Sequence, residues 1–83
     1  MYHLYILECA DGSLYTGITN NLELRFKKHK EGSGAKYTRA RGAVKIMYAE
    51  DHPSRSAAQR REGEIKRWPR KKKLRLVQIK RDV

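Results

Sequence analysis

Two runs of aromatic and β-branched residues, YHLYILEC at 2–9 and SLYTGIT at 13–19, flank the dipeptide Asp11-Gly12. Aspartate followed by glycine at such a junction signals a hairpin, because the turn needs φ > 0 and glycine adopts it without steric cost. The segment therefore reads as strand, turn, strand, and its register decides what each face carries, since a slip of one residue exchanges the faces. A two-residue loop, Asp11-Gly12, pairs Ala10 with Ser13 and sends Tyr5 and Tyr15 to opposite faces. A three-residue loop, Ala10-Asp11-Gly12 with Gly12 left-handed, pairs Cys9 with Ser13 and brings both tyrosines to one face. The second register is favoured because it gathers Leu4, Ile6, Leu14 and Ile18 on the other face as one apolar surface. Tyr5 then lies opposite Gly17, where the missing side chain leaves room beside the ring.

Downstream, Asn20 and Asn21 can cap a helix running to about Glu31, with Leu22 and Phe26 one turn apart, and Gly32-Ser33-Gly34 ends it. The stretch from Gly32 to Gly42 is polar, basic and flanked by glycine, and reads as a loop; Val44 to Ala49 reads as a third strand. Ser56-Ala57-Ala58-Gln59 has the spacing of a capping box, so a second helix is predicted to start there and to end near Trp68, ahead of Pro69. Pro69 suits the first turn of a further helix from Arg70 to about Leu76, with Leu74 and Val77 folding back on the core. Residues 78–83 read as a loose tail. The order is ββαβαα, an α+β fold in which helices pack on a small three-stranded antiparallel sheet. Eighty-three residues leave room for one domain, 1–83.

No apolar run approaches the ~20 residues of a membrane-spanning helix, and no secretory signal is visible. Cys9 is the lone cysteine, which rules out an internal disulfide or a multi-thiolate zinc site and fits a reducing, cytoplasmic setting. The 20 Lys and Arg against 9 Asp and Glu give a net charge of +11, a field that draws polyanions and makes nucleic acid the default partner.

Polar groups also sit where helical periodicity calls for apolar ones. Arg25 and His29 fall close to the line of Leu22 and Phe26, so both should face the body of the protein. On the second helix Ala58, Arg61, Glu62 and Ile65 occupy i, i+3, i+4 and i+7, which places Glu62 on a face shared with Ala58 and Ile65. A partly buried carboxylate needs a cation, a donor or a proton.

These residues resemble the GIY-YIG nucleases. Tyr5 in His3-Leu4-Tyr5 matches the tyrosine of the first half-motif, and Tyr15-Thr16-Gly17 matches the second. Arg25 follows ten residues after Tyr15, His29 one turn later, and Glu62 lies within Ala58-x-x-Arg61-Glu62-x-x-Ile65-Lys66. The resemblance covers about residues 2–77 and is closest to small stand-alone bacterial members. It departs in reading HLY for the first half-motif, and no asparagine follows Asn21 to supply the C-terminal support found in some relatives.

The resemblance implies a Mg²⁺- or Mn²⁺-dependent endonuclease that hydrolyses phosphodiester bonds in DNA, in repair or recombination. Glu62 would hold the metal, in keeping with the one or two carboxylates plus phosphate and waters that usually bind Mg²⁺. Tyr5 would act as general base or orient the water, which calls for a phenol pKa well below ~10, lowered by metal and cations. Arg25 would grip the scissile phosphate through its planar fork, and Tyr15 and His29 would position water or phosphate.

Each of these residues also has a plainer reading. The tyrosines could be cross-strand filler, Arg25 and His29 solvated residues favoured by the helix dipole, and Glu62 half of an i,i+4 pair with Lys66. For nucleic acid, Lys66, Arg67, Arg70, Lys71, Lys72, Lys73 and Arg75 form a candidate phosphate track. Lys36, Tyr37, Arg39 and Arg41, with Thr38 among them, form a second contact surface. Trp68 reads as a core anchor. The competing function is a non-catalytic DNA- or RNA-binding module on the same fold.

Overall fold

In the computed structural model, which describes residues 1–34 and 36–81, the hairpin takes the register that unites the tyrosines. Strands β1 (Tyr2–Cys9) and β2 (Leu14–Thr19) pair antiparallel with Tyr5 opposite Gly17 and Glu8 opposite Leu14. Gly12 closes the turn at φ +84°, and Cys9 N–H donates to Ser13 O at 2.9 Å. Strand β3 (Ala43–His52) pairs antiparallel with the other side of β1, giving the order β2-β1-β3.

Central β1 is buried continuously from Leu4 to Leu7 because helices cover both faces of the sheet. Helix α1 (Leu22–Lys30) lies over the Tyr5 and Leu7 face, where Leu22, Arg25 and Phe26 meet Ile46. Helices α3 (Arg55–Lys66) and α4 (Arg70–Arg81) cover the opposite face, where Leu4, Ile6, Ile65 and Val77 form the core. A register shift between Ile6 and Leu7 lets the consecutive Met47 and Tyr48 both pack against that core, as a β-bulge does.

The expected α+β architecture and element order are present, with one addition and three adjusted boundaries. The segment read as a loop contains a short helix, α2 (Lys36–Arg41), which buries Thr38 completely. Strand β3 is longer at both ends than the 44–49 expected. Helix α3 is capped by Ser54, whose side chain accepts from Ala57 N–H at 3.1 Å, so the Ser56 capping box is not used; Ser54 is the first extended residue after Pro53 able to cap. Helix α4 runs to Arg81 and not to Leu76, so the tail expected at 78–83 is helical through 81, and residues 82–83 lie outside the described residues. Burial of Val77 against Leu4 and Ile6 anchors the last part of this helix.

Helix α3 is tied to β3 through Arg61, whose Nε donates to Glu50 Oε2 at 3.0 Å and whose Nη1 donates to Glu64 Oε1 at 2.9 Å. Glu50 also accepts from the Tyr48 hydroxyl and meets His52 Nε2 at 2.6 Å. Burial works against the Glu50 charge, but the Tyr48, His52 and Arg61 donors hold its carboxyl below the ordinary value. Burial and Glu50 push the Tyr48 phenol up to about 12.

Candidate active site

Tyr5, on the most enclosed strand of the sheet, is only 2 % exposed, and its ring crosses β2 above Gly17. A Cβ at Gly17 would lie 2.6 Å from the Tyr5 hydroxyl oxygen, so the phenol reaches the edge of the sheet only because that position has no side chain. His29, carried inward by α1, places Nε2 2.9 Å from the Tyr5 hydroxyl and Nδ1 2.6 Å from Thr38 Oγ1. All three residues are buried. Gly34 passes so close to the imidazole that a methyl group there would collide with it. Tyr15 completes the cluster, its ring centroid 6.3 Å from that of Tyr5 and 5.4 Å from that of His29.

Arg25 Nε lies 3.5 Å from the Tyr5 oxygen and donates to it, leaving the phenolic proton directed at His29. We therefore assign the hydrogen-bond order as Tyr5 O–H to Nε2 and Nδ1–H to Thr38 Oγ1, with a neutral ring. Burial, and then the Arg25 charge, lower the His29 pKa, which favours that neutral ring. The hydrogen bond to Tyr5 raises the Arg25 pKa. Burial raises the Tyr5 pKa against the opposing Arg25 hydrogen bond, and the charges of Tyr15 and Glu62 add to the rise. The phenol lowered well below ~10 that the sequence reading called for is thus not what the protein groups produce, because desolvation outweighs one long hydrogen bond.

Glu62 lies on α3 between the buried Ala58 and Ile65, with its side chain 23 % exposed and Oε2 3.5 Å from Lys66 Nζ. Its charge is felt at Tyr5, and α3 packs against β2. No three His, Cys, Asp or Glu among the described residues are grouped to hold a metal ion. A cation here would rest on Glu62 with phosphate and water completing its shell, a donor set suited to Mg²⁺. Beside Arg25 a polar hollow of about 170 Å³ is lined by Thr19, Asn20, Asn21, Leu24 and Lys28.

The structure thus brings Tyr5, Tyr15, Arg25 and His29 into one cluster and sets Glu62 within electrostatic reach. The outlying cations disperse. Lys36 and Arg39 are exposed on α2, whereas Arg41 pairs with Asp11 across 3.1 Å; the side chain of Tyr37 lies outside the described residues. Lys66, Arg67, Arg70, Lys71 and Lys72 are exposed along α3 and α4, and Lys73 is half-buried. Thr38, read from sequence as part of an exposed contact surface, is instead buried against His29, and Gly34, read only as a helix stop, packs on the imidazole; both places follow from the fold of a segment that reads as a loop.

A family model described as the GIY-YIG catalytic domain matches residues 1–75. The chain belongs to the GIY-YIG family. It is 54 % identical over 80 residues to the UPF0213 protein CPE1444 of Clostridium perfringens, covering 96 % of this chain and 86 % of that one. It is 53 % identical over 72 residues to a UPF0213 protein of Streptococcus sanguinis, covering 87 % and 83 %. The solution NMR structure of the UPF0213 protein BH0048 from Bacillus halodurans superposes with a TM-score of 0.62 at 48 % identity, over 96 % of this chain and 86 % of that one. This GIY-YIG chain therefore resembles other small proteins over most of their length. Among its described residues no helix is long and apolar enough to cross a membrane.

Proposed function

We propose that this GIY-YIG protein is a divalent-metal-dependent endonuclease that hydrolyses phosphodiester bonds in DNA. The observation that carries the reading is the buried chain from Thr38 through His29 to the Tyr5 hydroxyl, which lies beside Arg25. A buried row of groups able to pass a proton, beside a fixed cation, suits attack of water on a phosphodiester.

In this mechanism Tyr5 accepts a hydrogen bond from the attacking water. As the water's proton moves to the phenol oxygen, the phenol's own proton passes to His29 Nε2, and Thr38 steadies the imidazolium through Nδ1–H. Tyr5 thus relays a proton without ionising, which suits its raised pKa. The new bond to phosphorus forms as the bond to the leaving oxygen breaks. The Arg25 fork stabilises the charge on the phosphoryl oxygens, while the adjoining hollow with Lys28 seats the backbone. Glu62 would hold the Mg²⁺ or Mn²⁺, which when bound supplies Lewis-acid stabilisation of the phosphoryl and leaving oxygens.

The test is a cleavage panel of single-stranded, duplex, nicked and branched DNA and of RNA, with and without Mg²⁺ or Mn²⁺. Metal-dependent cutting of DNA is expected, with Tyr5→Phe and Arg25→Ala each lowering kcat by about a hundredfold or more while binding persists. Salt-sensitive binding with no cut substrate would replace this reading with that of a non-catalytic nucleic-acid-binding module. The pairing of Glu62 with Lys66 favours that second reading.

A further inference from the structure

At the junction of α3 and α4, on the face of the sheet away from Tyr5, a groove of about 380 Å³ is walled by Trp68, Pro69 and Leu76 and rimmed by Lys71, Lys72 and Arg75. Its wall is mainly apolar, and among the described residues no acidic side chain lines it. Trp68 packs against the Leu4 and Ile6 core, so it is the anchor expected from sequence, yet it is only partly buried and also forms the groove wall. The Lys72 ammonium lies 4.3 Å from the Trp68 ring centroid, and the Arg61 guanidinium carbon lies 5.2 Å from it.

An aromatic wall with a wholly cationic rim is complementary to one chemical unit, a flat ring attached to a phosphate. We propose that this groove binds an unpaired nucleotide of a DNA strand, its base stacked on Trp68 and its flanking phosphates held by Lys71, Lys72 and Arg75. Size permits it, since pockets for small ligands run from about 300 to 1,000 Å³. Lys72 is the movable part: its stem lets the ammonium swing from the ring to a phosphate, exchanging an exposed cation–π contact for a stacked base and an ion pair. A base inside a duplex already has both faces covered, so the groove selects strands that are single-stranded or locally extruded.

Trp68 follows Glu62 by six residues and lies just past the end of α3 at Lys66, so one short stretch of chain carries both. Resting on the nuclease reading, the groove defines the substrate class: DNA that carries an unpaired segment on the strand it presents.

Trp68 is the chain's one tryptophan, so its emission reports occupancy directly. With metal chelated to prevent cutting, the full chain is titrated with an oligothymidylate of about eight residues, an abasic strand of equal length and a duplex. Binding is followed by anisotropy of the labelled DNA and by Trp68 fluorescence. Oligothymidylate is expected to quench Trp68 and to bind at least about tenfold tighter than the abasic strand. Combining Lys71→Glu with Arg75→Glu should weaken both single strands and flatten the log–log salt dependence by about 1.4, roughly 0.7 per phosphate contact. Trp68→Phe, which keeps a ring against the core, should lose part of the preference for bases while remaining folded. Oligothymidylate binding with Trp68 emission unmoved, equal affinity for the abasic strand, or equal quenching by duplex would each overturn the proposal. Absence of cleavage in the panel above, with quenching intact, would sink the nuclease reading and leave the groove standing.

Discussion

Nε2 of His29 lies 2.9 Å from the Tyr5 hydroxyl, and burial disfavours the charged form of both. Burial and Arg25 lower the His29 pKa, so the imidazole reaches its proton-accepting form below the ordinary value of ~6.5. The rate, as log kcat/KM, should rise with unit slope at acid pH and level off before ~6.5. A limb still rising above pH ~7 would assign the base to another group. Stability follows the same shift: the unfolded chain binds more protons than the folded one between the depressed pKa and ~6.5, so Tm should fall as pH drops through that window. His29→Gln should flatten that dependence.

Thr38 is argued to act through His29 and not on substrate. Thr38→Val keeps the shape but leaves Nδ1–H buried without an acceptor, costing about 1–3 kcal/mol and several degrees in Tm. The acid limb of the pH–rate profile should shift as well, and Thr38→Ser should restore both. A loss of stability with an unmoved pH profile would reduce Thr38 to a packing residue.

Gly17→Ala would place a methyl group against the Tyr5 oxygen, within 2.6 Å, and the enclosed ring has nowhere to retreat. Overpacking of this kind costs about 1–3 kcal/mol. The expected result is a folded protein that binds DNA with an affinity near that of the parent but cuts it slowly. Equal losses in binding and kcat would contradict the view that Gly17 serves the phenol alone.

Glu62 is partly exposed and paired only with Lys66 among its described ion pairs, so Glu62→Gln should change Tm little, in line with the small value of exposed i,i+4 pairs, about 0.3–0.5 kcal/mol. The Mg²⁺ or Mn²⁺ concentration for half-maximal cutting should rise by more than about tenfold, a loss that even an outer partner of a metal ligand produces. An unchanged metal titration would move the cation elsewhere.

The hairpin was legible because its hydrophobic alternation and its glycine turn agree on one register, and that register alone placed Tyr5 over Gly17. Helical spacing likewise turned Arg25 and His29 inward. The segment 36–41 was not legible: KYTRAR lacks an apolar stripe, and its single buried side chain with a described environment, Thr38, is polar and held by an imidazole from another element. Tertiary contact, not propensity, forms that helix. The burial that raises the Tyr5 pKa was not legible for a related reason, since periodicity shows which face a residue occupies but not how completely water is excluded from it.

The two ends of the relay rest on supports of very different durability. Tyr5 is stitched into the middle strand by ladders on both sides, so its amide should exchange with solvent only when the whole molecule opens. Thr38 rides on a helix of fewer than two turns, which local fraying can release at far smaller cost. The imidazole between them then keeps only its Tyr5 partner while the sheet stays intact, and in the proposed mechanism proton acceptance becomes a property of one short segment's open–closed equilibrium.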